Sequence, residues 1–198
     1  EPGFSGKVYC NGADMIKNFQ RIKSVIGFVP QQDIIYENLT LERMLEYSSR
    51  LRMPKDTDTV ERKKRIKEVL KMVDLEGQKN TLIRKLSGGQ KKRASIAVEL
   101  LADPKLFFLD EPTSGLDPGT EKNLMISLKT LARQHGKTII MVTHTTANLH
   151  LCDKILFMGP GGKLCFCGNV KEAKKFYQTE DLVDIYNMQK LLQNMQGA

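Results

Sequence analysis

Tryptophan is absent from this 198-residue chain, and histidine, cysteine and proline are scarce, at three, four and seven residues. Each shortage closes off a class of protein. The four cysteines, Cys10, Cys152, Cys165 and Cys167, include no C-x-x-C pair. Neither a zinc site nor a dithiol redox motif is supported, and reduced thiols in a cytosolic setting are the economical reading. No apolar run approaches the ~18 residues that would span a bilayer, and the first residues lack the pattern of a secretory signal. No internal repeat and no low-complexity tract occurs. What is present is an ordinary globular composition, 40% apolar and 27% charged, long enough for one large domain or two small lobes. The charge is lopsided, at +8. Such an excess suits an anionic partner: a nucleotide, a nucleic acid or the inner leaflet of a membrane. The basic residues clump, as in Arg62-Lys63-Lys64-Arg65 and Lys91-Lys92-Arg93, and Glu61 and Glu68 interleave with the first clump as on a solvated helix face. The sequence opens on Glu1 in mid-pattern, which points to a piece of a longer polypeptide.

The opening GFSGKVY, residues 3–9, invites comparison with the phosphate loop G-x-x-x-x-G-K-[ST]. Gly6 and Lys7 fit the middle of it. The first glycine would stand at position 1, which is Glu1, and the hydroxyl that serves a metal would stand at position 8, which is Val8. Lys7 to Cys10 is β-prone and runs into Asn11-Gly12, a hairpin-type turn signal. A strand and a turn are expected here, not a phosphate cradle.

Periodicity organises the remainder. Residues 5–30 read as short strands and turns, with Ile26-Gly27-Phe28-Val29 ending at Pro30. From Thr40 a short amphipathic helix runs to just before Pro54. Val60 to Val73 and Gly88 to Ala102 read as two more helices, so about 60 residues are all-helical. Leu106-Phe107-Phe108-Leu109 is a continuous apolar run, as expected of a strand buried on both faces of a parallel sheet, and Thr138–Thr143 reads as a second buried strand. Pro118 to about Gln134 reads as the helix between them, giving a βαβ unit. Ile155 to Cys167 reads as a hairpin turning at Gly159–Gly162, and Leu182 to Met195 has helical spacing.

Four constellations carry chemistry. Asp110 and Glu111 follow directly on a strand, and ligands of open α/β sheets sit off the carboxyl ends of strands. One carboxylate there can hold magnesium, and the next can orient or deprotonate a water, the division of labour phosphoryl transfer needs. Ser87-Gly88-Gly89-Gln90 opens a helix, with Ser87 a good N-cap and two glycines that let an oxyanion approach free backbone N–H groups. Asp117-Pro118 reads as an N-cap and first helical residue. His144 follows the strand 138–143 and can donate a hydrogen bond to a phosphate oxygen. His135, at a helix end, and His150 have no such assignment.

In this order and spacing, LSGGQ (86–90), KLFFLDEPTSGLD (105–117) and MVTH (141–144) resemble the nucleotide-binding domain of ATP-binding-cassette (ABC) ATPases. Leu86–Gln90 is similar to the signature motif, Leu106–Glu111 to the Walker B strand, Ser114–Asp117 to the D-loop, His144 to the switch histidine, and Val29–Asp33 to the Q-loop, with Gln31 as its functional glutamine. Arg52-Met53-Pro54, Lys92–Leu101 and Asp103-Pro104 look most like G-subfamily exporters, from which Leu86, Gln90 and Thr145-Thr146 depart. The resemblance implies an α/β fold: a RecA-like P-loop NTPase core with a parallel sheet, an antiparallel β lobe and an α-helical signature subdomain, the N-terminal part of the core being missing. It divides the chain into a β lobe with Q-loop (1–37), a helical subdomain (38–100), the core (101–178) and a C-terminal helix (179–198). The phosphate loop should lie roughly 20 residues before Glu1.

The resemblance also implies roles. Glu111, His144 and Gln31 would be catalytic, and Asp110 and Gln31 would serve Mg2+. Ser87, Gly88, Gly89, Gln90 and Asp117 would meet ATP across a head-to-tail dimer with a second nucleotide-binding domain. Dimer closure would drive a transmembrane domain at the cytoplasmic face of a membrane. The chain alone, without the phosphate cradle, is expected to neither bind nor hydrolyse ATP. The rival class, soluble ABC-type ATPases of nucleic acid or the ribosome, shares these motifs. Only 54 residues separate Gln31 from Leu86, too few for the long coiled coil of the chromosome type. No nucleic-acid partner is expected.

Overall fold

The computed structural model describes residues 6–185. These fall into two units, divided between Thr143 and His144.

The first unit begins with a hairpin, β1 (Tyr9–Cys10) against β2 (Ala13–Asp14). Asn11 and Gly12 turn it with φ of 48° and 77°, the left-handed pair that a two-residue hairpin loop demands. The expected turn is therefore present, and Gly6-Lys7-Val8 leads into a strand. The hairpin is followed by a short helix α1 (Phe19–Ile22), and then by β3 (Ile26–Val29). Here the structure departs from the expected antiparallel lobe. β3 pairs in parallel with β4 (Leu106–Asp110), which pairs in parallel with β5 (Thr138–Val142). Residues 26–29 are thus a strand of the core sheet, and within the described residues 6–30 the hairpin alone pairs antiparallel.

Three helices fill the interval between β3 and β4. α2 (Leu41–Arg52) is capped by the Thr40 hydroxyl, which accepts from the Arg43 N–H, and α3 (Thr59–Met72) by Asp58, which accepts from Glu61 at 2.7 Å. α4 (Gly88–Leu100) follows. Leu41, Met44, Leu45, Val69, Leu70, Ala97 and Leu100 pack to form the core of this lobe, all within 3% of full burial. α5 (Pro118–Gln134) joins β4 to β5 with the predicted bounds.

The strands are not buried on both faces. Val29, Phe107 and Leu109 are covered, but the register sets Phe28, Phe108 and Ile140 side by side on the other face. There Phe28, Ile140 and Val142 are 54%, 48% and 61% exposed. A run such as Thr138–Val142 reports that a strand is apolar, not how many layers cover it. Among the described residues only one layer does.

The second unit carries β6 (Ile155–Met158) antiparallel to β7 (Leu164–Gly168), the predicted hairpin, and α6 (Val170–Tyr177), which the apolar pattern did not single out. Ile155, Phe157, Ala173, Leu182 and Ile185 form its core, with Phe166 and Tyr177 packed on it. Residues 182–185 are helical; the remainder of the helix expected to Met195 lies outside the described residues. No helix among the described residues is long and apolar enough to cross a membrane.

Candidate functional site

β3 and β4 run parallel, so the chain leaves both at the same edge of the sheet, with Val29 opposite Leu109. Beyond that edge the Gln31 amide Nε2 donates to Glu111 Oε2 at 3.0 Å. Glu111 lies in the left-handed region, with φ of 41°. For a non-glycine residue this costs on the order of 1–3 kcal/mol and marks sites where the surroundings over-determine the backbone. Its N–H donates to the Val142 carbonyl at 3.0 Å, and its carbonyl accepts from Ser114 at 3.1 Å. The left-handed turn breaks the side-chain alternation of β4, and the carboxylate after the strand meets Gln31, two residues past the end of β3. Asp110, half-buried and opposite Val142, continues the Leu106–Phe108 row on the uncovered face.

A second group forms where two helices begin. Ser87 caps α4 in a reciprocal box: its hydroxyl accepts from the Gln90 N–H at 3.3 Å, and Gln90 Oε1 accepts from the Ser87 N–H at 2.9 Å. The first-turn N–H groups of Gly88 and Gly89 have no partner within the helix. Both glycines are there for close approach. A Cβ on Gly88 would stand 3.2 Å from a Leu116 methyl, and one on Gly89 would overlap the Thr120 methyl. The start of α5 is thereby packed against the start of α4. Asp117 caps α5, accepting from Gly119 and Thr120, both at 3.1 Å. Hydrogen bonds from Thr120, side chain first and backbone next, hold its carboxyl below the usual carboxylate range.

The structure thus brings Gln31 to Glu111, with Asp110 adjacent, and Ser87–Gln90 to the Leu116–Thr120 turn. His144 belongs to the second unit and is exposed.

Lysines that could be mistaken for phosphate ligands have other work. Gly136-Lys137-Thr138 reproduces the end of the phosphate-loop pattern, but residue 131 is leucine. The Lys137 side chain is 1% exposed and its ammonium lies 2.7 Å from Asp103. Asp103 also receives Arg65 at 3.0 Å and Lys105 at 3.0 Å. Burial raises the Asp103 carboxyl, but the hydrogen bonds from Lys137 and Lys105 and the charges of Lys137 and Arg65 outweigh it, and its pKa falls to about 2. Arg52 of α2 forks onto both oxygens of Glu99 on α4. Burial raises Glu99, and the Arg52 charge opposes it. Sequence reading passed over Glu99 and Lys92, although the spacing 92, 95, 99 marks one face of α4.

Magnesium and ATP, the groups the resemblance implies, suit this donor set. Mg2+ takes hard oxygen ligands and is commonly held by one or two carboxylates together with phosphate oxygens and water. Asp110 and the amide oxygen of Gln31 are of that type. Such a site needs no cluster of three His, Cys, Asp or Glu, and none occurs among the described residues. The α4 N-terminus offers backbone N–H groups and the positive end of a helix dipole to a phosphate.

Known proteins that resemble this chain identify its family. The sequence profile of the family described as ABC transporter matches residues 1–114. The ABC transporter ATP-binding/permease protein Rv1747 of Mycobacterium tuberculosis is 39% identical over 92% of this chain. ABC transporter G family member 28 of Arabidopsis thaliana is 33% identical over 90%. The broad substrate specificity ATP-binding cassette transporter ABCG2 of Rattus norvegicus is 36% identical over 88%. The chain spans only 21%, 16% and 27% of these relatives. Among solved structures, cbiO1 of Clostridium perfringens, part of the ABC transporter complex cbiONQ, superposes with a TM-score of 0.78 at 26% identity, over 98% of this chain and 77% of that one. The ATP-binding cassette MJ0796, a dimer in a post-hydrolysis state bound to ADP and Pi, gives 0.67 at 30% identity, over 84% and 74%. Acids off the end of a parallel strand, a glycine-led helix start and these similarities converge: the chain belongs to the ABC transporter family, as part of its ATP-binding domain, with relatives in the G subfamily.

Proposed function

We propose that these residues supply the acid pair, the glutamine and the distal glycine turn of an ATP-hydrolysing domain that powers export across a membrane. They work with a phosphate loop supplied from outside the 198 residues. The observation that carries the reading is the 3.0 Å hydrogen bond from Gln31 to Glu111 beyond the carboxyl ends of β3 and β4. It holds one carboxylate oxygen in a fixed direction while Asp110 stands beside it.

In this reading Glu111 takes the proton of the attacking water, and Gln31 orients Glu111 and turns its amide oxygen to the metal. Asp110 gives the metal its carboxylate, and His144 donates a hydrogen bond to the terminal phosphate. Magnesium, when bound, neutralises charge on the phosphates. The N–H groups of Gly88 and Gly89 and the Ser87 hydroxyl face the nucleotide of a second domain docked head to tail, and Gln90 and Asp117 hold that surface in shape. Closure of the pair moves a transmembrane domain, so this domain sits at the cytoplasmic face. Two similarities support the arrangement: MJ0796 is a dimer, and cbiO1 is part of a transporter complex.

Glu111→Gln in the full-length protein tests the reading. The amide keeps the shape but accepts no proton, so nucleotide binding persists while phosphate release stalls by about 100-fold or more. Turnover at the wild-type rate would take Glu111 out of the base role.

A further inference from the structure

Lys92 is an unusual residue for its position. Lysine is almost never fully buried unless paired, yet this one, in the second turn of α4, is 5% exposed. An ammonium has three N–H donors, and three acceptors meet it. The Gln31 carbonyl lies at 2.9 Å and the Pro30 carbonyl at 3.4 Å. Asp33 Oδ1 lies at 2.8 Å, an ionic contact whose angle does not meet hydrogen-bond geometry. All three belong to the segment that follows β3. Residues 31–35 make no backbone–backbone hydrogen bond of a loop or turn among the described residues. The segment is therefore held chiefly from outside, by a side chain of the signature helix. The residue whose carbonyl accepts from Lys92 is also the residue whose amide reaches Glu111.

We propose that Lys92 is a positioning residue for hydrolysis. It fixes the backbone of Gln31 so that the side chain meets Glu111, and it ties the Ser87–Gly89 turn to that carboxylate. Ser87 and Lys92 are five residues apart on one helix, about 7.5 Å of rigid rod. A displacement of the glycine turn is carried by Lys92 to the Gln31 carbonyl, and from there to Glu111. Occupancy of the partner's nucleotide at Ser87–Gly89 thereby bears on water activation in this domain. A lysine suits the task better than an arginine, because its compact, rotatable head reaches three acceptors that a planar fork does not match. The inference rests on the proposed role of Glu111.

The test is a double-variant cycle on steady-state ATP hydrolysis by the full-length protein. Lys92→Met, which keeps the packing volume, is expected to lower kcat about ten- to a hundredfold with little change in KM, as for a mispositioned catalytic group. Gln31→Ala lowers kcat as well. Acting through one another, the two do not multiply: the double variant is no slower than Gln31→Ala alone, to within about threefold. Arg93→Met is the control. Arg93 is the next residue along α4 but holds Val73 and Asp74 of the helical lobe, so its effect multiplies with that of Gln31→Ala. Multiplying effects for Lys92→Met and Gln31→Ala, or an unchanged kcat in Lys92→Met, would overturn the proposal. Should Lys92→Met not fold, Asp33→Asn takes its place in the same cycle with the same two outcomes. Failure of the underlying reading has a separate signature, full turnover in Glu111→Gln.

Discussion

Replacing Asp103 with asparagine should destabilise the protein more than removing the lysine it pairs with. Asp103 has φ of 51°, a region asparagine also tolerates, so the exchange isolates charge from backbone strain. Its pKa, lowered from 3.8 to about 2, would correspond to about 2.4 kcal/mol if nothing were screened. The side chain is 50% exposed, so about 1 kcal/mol is the expected direct contribution. The larger effect falls on Lys137. With its side chain 1% exposed, it would face a neutral amide in place of a carboxylate, adding roughly 1–2 kcal/mol. Asp103→Asn is therefore expected to cost about 2–3 kcal/mol. Lys137→Met removes the buried charge along with the pair, and Asp103 keeps Arg65 and Lys105, so about 1 kcal/mol or less is expected. The double variant should cost less than the sum. A lowered carboxyl pKa gives stability that is complete above the unfolded value near 4 and is lost as pH falls through about 2. Wild type and Asp103→Asn should thus converge between about pH 5 and pH 1. Urea unfolding followed by far-ultraviolet circular dichroism at several pH values measures all of this; the absence of tryptophan makes fluorescence a weaker probe. Lys137→Met proving as damaging as Asp103→Asn, or a full-sized gap between wild type and Asp103→Asn at about pH 1, would overturn this account.

Gly89→Ala should lower stability by about 1–3 kcal/mol through overpacking against the Thr120 methyl, and Thr120→Ser, which deletes that methyl, should restore most of it; chemical denaturation of the two singles and the double decides. Ser87→Ala removes one half of the α4 capping box and should cost about 1 kcal/mol, read in the same way. The 198 residues contain no complete phosphate-loop pattern, so titration with MgATP in a calorimeter should show no micromolar binding; a micromolar dissociation constant would contradict the division of the site proposed above.

Elements with punctuated ends were legible in the sequence. Asp117-Pro118 marks the start of α5, and Thr40 and Pro54 bracket α2, because caps and prolines act locally. α6 had such a signal too, the reciprocal pair Asn169 and Glu172, though its eight residues carry too little apolar period to stand out. What escaped was non-local. Ile139–Val142 is apolar throughout, and nothing in its letters says that one face stays open. Ile26–Val29 reads as a strand, but its parallel partner lies 80 residues further on. At the site, Asp110, Glu111 and Ser87 stood out because acids after a buried strand and glycines at a helix start break the surrounding pattern. Lys92 did not, because Lys91-Lys92-Arg93 reads as a solvated clump; its burial follows from the register of α4, with Lys92, Ser95 and Glu99 all turned inward.

The left-handed backbone at Glu111 sets a trap for anyone improving this protein. Glycine there would release the strain, by about 1 kcal/mol or more, and would delete the carboxylate with it. Aspartate tolerates the conformation better than glutamate, but its arm is one methylene shorter than the one that reaches the Gln31 amide. A screen scored on heat resistance alone would therefore enrich, at this one position, for molecules that hold their shape and have stopped working.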